Sequence, residues 1–136
     1  MVLFAFVCDI ISYFTRNPKL AEVSWWNLVF ATVSIFIAVI FGQIEAGLAE
    51  PYAAAVSALN FHTLLGWSLS GLLAALTGWR YVIRSRSKDQ LPIPYLVASV
   101  VLVGLVLVQT YFGDLLVWVY GLHSIPVVEA TRGGQL

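Results

Sequence analysis

Few side chains in this sequence could do chemistry, and His62 is the most informative of them. Gly66 and Ser70 follow it at i+4 and i+8, so on a helix the three share one face and leave room beside the imidazole. A neutral imidazole in an apolar site with flat space next to it suits axial ligation of haem iron or chlorophyll magnesium. A haem held between helices ordinarily takes two histidines at matched depth, and the second histidine here is His123. The plainer alternative is a structural histidine hydrogen-bonded to Gln43, Glu45 or Asp114. Gln43, Glu45, Asn60, Asp114 and His123 are expected to gather near one depth with His62, and the carboxylates would equally serve a small proton or ion conductor. A dedicated metal site needs three or four ligands in fixed geometry; no spacing here carries such a motif, so none is expected. There is no nucleophile elbow, phosphate loop, dinucleotide fingerprint or zinc-protease motif, and catalysis is not expected.

The elements that must position these residues follow from composition. Of 136 residues, 60% are hydrophobic and 10% charged. A water-soluble domain needs roughly a quarter of its residues charged. Lipid must therefore replace much of the aqueous solvent. Apolar stretches run over 1–14, 25–48, 52–83 and 95–120, with a tail over 121–136 turning at Pro126 and ending in a flexible Gly133-Gly134. A span of the hydrocarbon core takes about 20 helical residues, which the last three stretches exceed. None alternates like a barrel strand, so the expected class is all-α: four transmembrane helices in one antiparallel bundle forming a single domain. The first stretch is short, at about 21 Å of helix, and lacks both the basic start and the small-residue cleavage site of a signal peptide. Asn17-Pro18 is a helix stop, Pro51 opens the third helix, and the 84–94 connection ends in Pro92 and Pro94.

Charge orients the bundle. Arg16 and Lys19 lie in the first loop and Arg80, Arg84, Arg86 and Lys88 at the third, six of the seven basic residues, whereas the second loop carries Glu45 and Glu50. The positive-inside rule places loops 15–24 and 84–94 in the cytoplasm and both termini outside. Trp25, Trp26, Trp79, Tyr81 and Tyr95 form the expected inner aromatic belt, and Tyr52, Tyr111, Trp118 and Tyr120 the outer one. Seven acidic residues balance seven basic ones, which gives no sign of a nucleic-acid partner, and the single Cys8 cannot close an intramolecular disulfide.

Small residues recur every fourth position at Ala38, Gly42 and Ala46, and again at Gly66, Ser70, Ala74 and Gly78. Such stripes let helix backbones approach closely. They are expected to join the second and third helices to neighbours within the chain; the sharper alternative is room for a flat ligand or a partner helix. Asp9 is expected to be structural, paired with Arg80, Arg16 or Tyr13.

Several short segments resemble one family: Cys8-Asp9-Ile10-Ile11; Gly42; Asn60-Phe61-His62-Thr63-Leu64-Leu65; Tyr111-Phe112-Gly113-Asp114-Leu115-Leu116-Val117; and Tyr120-Gly121-Leu122-His123. Together they resemble the bacterial four-helix membrane proteins of domain-of-unknown-function family 2231, over nearly the whole chain. The resemblance implies a missing amino-terminal half of helix one, which in the family carries a His-Pro segment ahead of the aspartate that Asp9 matches. It also implies the loss of the histidine best able to pair with His62. Gly113-Asp114 stands where the family has Gly-Gly. Small size and small-residue faces lead to an expected role as a non-catalytic accessory subunit of a larger photosynthetic or respiratory complex, in a bacterial cytoplasmic or photosynthetic membrane. A haem- or pigment-binding protein using His62 is the first alternative and an ion conductor the second.

Overall fold

The computed structural model describes residues 1–48, 51–86, 91–122, 129–130 and 132–134. Its helices are α1 (Val2–Thr15), α2 (Pro18–Leu48), α3 (Ala53–Arg86) and α4 (Ile93–Asp114), the last continuing as a π-helical turn over Leu115–Val119. Among the described residues, α1 packs on α2 and α4, α2 on α3, and α3 on α4. The helices thus follow one another around a four-sided bundle, with α1 and α3 on one diagonal.

The first connection is far shorter than the 15–24 loop read from the sequence. It is a two-residue turn of Arg16 and Asn17, and α2 begins at Pro18 rather than near Trp25. Arg16 takes the left-handed conformation (φ 53°) that ends α1. The Asn17 side-chain oxygen then accepts the Lys19 N–H at 3.0 Å and caps α2. Pro18 fits the first helical position because its missing N–H would have no intrahelical partner there. The proline that stops one helix therefore starts the next. Ser12 Oγ closes the turn by donating to the Asn17 carbonyl at 3.0 Å.

Three helices are long and apolar enough to cross a membrane, and α1 is a shorter apolar one. With 31 and 34 residues, α2 and α3 reach about 46 and 51 Å, beyond a hydrocarbon core of about 30 Å. Their polar ends extend into the interfacial layers. The interior is built from Ala5, Leu28, Ala31, Leu69, Leu73, Leu76 and Leu102, with a smaller cluster of Ala55, Ala58, Leu116 and Leu122 at the far end. Outside, Phe41 (64% exposed), Leu64 (66%) and Trp118 (83%) stand away from the bundle, as lipid-facing side chains do.

The helical run from Ile93 reaches Val119, close to the end of the 95–120 stretch, but its last turn is π rather than α. The Tyr120 N–H donates to the Leu115 carbonyl at 3.1 Å, one residue beyond α spacing. The Tyr52 hydroxyl donates to the Tyr120 carbonyl at 3.0 Å and ties this turn to the start of α3. Towards the end of the chain, the Gly133 N–H donates to the Glu129 carbonyl at 2.9 Å. Glu50, Lys88, His123 and Pro126 lie outside the described residues.

Candidate functional site

Two polar sites interrupt the apolar interior. The first, near the basic end of the bundle, centres on Asp9. Arg80 Nη2 donates to Asp9 Oδ1 at 3.1 Å, and the Tyr95 hydroxyl donates to Asp9 Oδ2 at 3.0 Å. The same Arg80 nitrogen lies 3.4 Å from the Ala21 carbonyl, and its guanidinium sits 5.5 Å from the Tyr95 ring centroid. Asp9 and Tyr95 are each 1% exposed and Arg80 6%. One group from each of the four helices thus meets at a single level. Arg80 reaches Asp9 across the diagonal, so the pair braces helices whose backbones do not touch. Burying two opposite charges is costly unless geometry and hydrogen bonds are complete, and removing one partner strands the other.

Asp9 was expected to pair with Arg80, Arg16 or Tyr13, and the structure selects Arg80. Tyr95, read as part of the inner aromatic belt, is instead a core residue. Its hydroxyl is required at the carboxylate, and its ring packs edge-on against Trp79 with centroids 5.9 Å apart. Its value lay in a polar handle on an apolar ring, which a belt assignment overlooks.

The second site centres on His62. The Gln109 amide nitrogen lies 3.2 Å from His62 Nε2 and donates to it, which leaves the ring proton on Nδ1. Neither His62 Nδ1 nor Gln109 Oε1 has a partner among the described residues. Gly113 explains how α4 comes so close: a Cβ there would lie 3.1 Å from His62 Cε1. A Cβ at Gly66 would lie 3.2 Å from the Gln109 amide nitrogen and 3.6 Å from Val39 Cγ2. The space that Gly66 opens beside the imidazole is therefore taken up by a neighbouring side chain. Gln109 was missed in the sequence reading, although an amide inside the apolar run of α4 is the kind of residue that must find a partner in lipid.

The other expected members of the polar cluster are elsewhere. Gln43, Glu45, Asn60 and Asp114 are all exposed on their helices, and the partner of His62 is Gln109 rather than Gln43, Glu45 or Asp114. Helical phase decides this, since similar depth brings two residues together only if they also face each other.

The two small-residue stripes part company. On α3, Gly66 and Ser70 are buried, Ala74 is partly so and Gly78 is exposed; the Ser70 hydroxyl donates to the Gly66 carbonyl at 2.9 Å. On α2, Ala38 and Gly42 are exposed and Ala46 half-buried. Nothing in the described chain comes within 4 Å of a Cβ placed at Gly42 or Gly47. Among the described residues, Ala38 and Gly42 of the α2 stripe therefore do not pack against a neighbouring helix of this chain as expected. They face outward because α2 turns a different side to α1 and α3.

An all-helical bundle with lipid-facing apolar walls and an interior ion pair is a polytopic membrane protein. The chain belongs to the family described as "Predicted membrane protein (DUF2231)", which matches residues 1–126. No curated protein and no solved structure matches it.

Proposed function

We propose that this chain is a non-catalytic accessory subunit packed against a larger energy-transducing membrane assembly, photosynthetic or respiratory. The outward face of α2 carries the reading. Ala38, Gly42 and Ala46 form a strip with open space in front of Gly42, shaped for close approach of another transmembrane helix. Lipid does not require small residues on a surface it covers. Gentle detergent extraction is expected to bring the chain out in a large assembly, and recovery only as a free monomer or homodimer overturns the reading.

The positive-inside rule supports a cytoplasmic basic end and both termini on the opposite side, in a bacterial cytoplasmic or photosynthetic membrane. Ser85 is exposed on the last turn of α3, and Cys8 is buried. A Ser85→Cys variant is expected to react with an impermeant thiol reagent only from the cytoplasmic face; labelling from the other face reverses the orientation.

A second reading, haem or pigment ligation by His62, is favoured by the unpartnered Nδ1, which can ligate only once its proton moves to Nε2 and the Gln109 amide turns its free Oε1 to accept it. It requires Gly113 and the α4 backbone to move away from the ring. A visible absorption band in the purified protein, lost in His62→Ala, supports it, and a colourless preparation removes it.

A further inference from the structure

We infer that the basic end of the bundle holds a binding site for the headgroup of an anionic glycerophospholipid. A cleft of about 890 Å³ opens there between the α1–α2 turn, the end of α3 and the start of α4. Arg16, Arg80 and Arg84 line it together with Glu22, and Phe14 and Ile93 supply apolar wall.

The three guanidinium groups differ in how far they are engaged. Arg80 is held by Asp9, yet its Nε, sealed from solvent, has no acceptor among the described residues. Arg84 pairs with Glu22 through both terminal nitrogens and stacks 5.7 Å from the Trp25 ring centroid, and its side chain is still 41% exposed. Arg16 is exposed in the turn and makes no hydrogen bond or ion pair among the described residues. Among the described residues, three arginines set against the two carboxylates Glu22 and Asp9 leave one positive charge in excess. A phosphodiester carries one negative charge and offers oxygens to a guanidinium fork.

Depth and shape point to lipid as the source of that phosphodiester. Trp26, Trp79 and Tyr81, all exposed, ring the same end of the bundle, where indole and phenol groups sit at headgroup level. The cleft is far larger than an inorganic phosphate needs, and it passes from guanidinium groups to Phe14 (76% exposed) and Ile93 (63% exposed). A glycerophosphate group with the first methylenes of an acyl chain matches that sequence of polar and apolar surface. A zwitterionic lipid would bring its own cation towards the arginines and bind less well.

Native mass spectrometry of the full chain in neutral detergent tests this, with phosphatidylglycerol, phosphatidylcholine and inorganic phosphate as probes. The expected result is a one-to-one phosphatidylglycerol adduct at concentrations where phosphatidylcholine gives none, undisturbed by added inorganic phosphate. Arg16→Gln and Arg84→Gln are each expected to weaken it about fivefold, the effect of one cation near an anionic headgroup. Arg86→Gln, which removes the same charge two residues past Arg84 on a side of α3 that does not line the cleft, is expected to leave it unchanged. Arg16 has no partner among the described residues, so Arg16→Gln reads binding without unfolding the bundle, as circular dichroism checks. Equal binding of the two lipids overturns the inference. So does displacement by inorganic phosphate, or equal losses for Arg86→Gln and Arg16→Gln.

Discussion

The cost of a polar residue in this protein depends on whether its partner is present. Asp9 is 1% exposed, so replacing it with asparagine leaves the Arg80 charge buried against an amide. The expected loss is about 3–5 kcal/mol, the usual penalty for breaking a buried pair. Thermal unfolding in detergent measures it, and a combined Asp9→Leu, Arg80→Met variant is expected to regain most of the loss because neither charge is then stranded. The contact of Gly113 with His62 gives a second test. Gly113→Val places methyl groups where His62 Cε1 already lies 3.1 Å from a Cβ position, and about 1–3 kcal/mol of destabilisation is expected. Adding His62→Ala should relieve most of it. If the two substitutions prove additive, the imidazole is not what α4 packs against.

At the scale of elements, the sharp turn between α1 and α2 governs how α1 is held. Ser12, Asn17 and Pro18 build it from two hydrogen bonds and one fixed φ angle. Asn17→Ala removes the α2 cap and is expected to cost about 1 kcal/mol, read as a lower midpoint in the same thermal assay. The turn was legible in part. Asn17-Pro18 marks a break between helices in any reading, but Lys19 and Glu22 look like loop residues until one sees them used by α2. Glu22 accepts from the Trp26 indole at 3.0 Å one helical turn on and faces Arg84 on α3. Charged residues beside a proline are as compatible with the interfacial first turn of a long helix as with a loop, and only the backbone distinguishes the two.

For the whole molecule, the outward strip on α2 separates stability from assembly. Gly42→Leu meets open space, so the isolated chain is expected to keep its thermal midpoint within about 0.5 kcal/mol of stability. Extraction with a partner assembly is expected to fail for the same variant, as blue native electrophoresis would show. An unchanged assembly size would place the partner on another face.

Sequence alone determined the solvent, the number of helices and the end of the bundle where cations collect. Each follows from quantities that do not depend on how a helix is rotated: total apolar content, the length of an apolar run and the order of charges along the chain. Rotation about each helix axis belonged to the tertiary structure, and with it the meeting of Asp9 with Arg80 and Tyr95, the meeting of His62 with Gln109, and the outward turn of Gly42. A helix that is apolar on every side carries no polar stripe to reveal which face looks inward. Its rotation is settled by small residues and buried hydrogen bonds contributed by neighbours, and those are known only once the helices are packed.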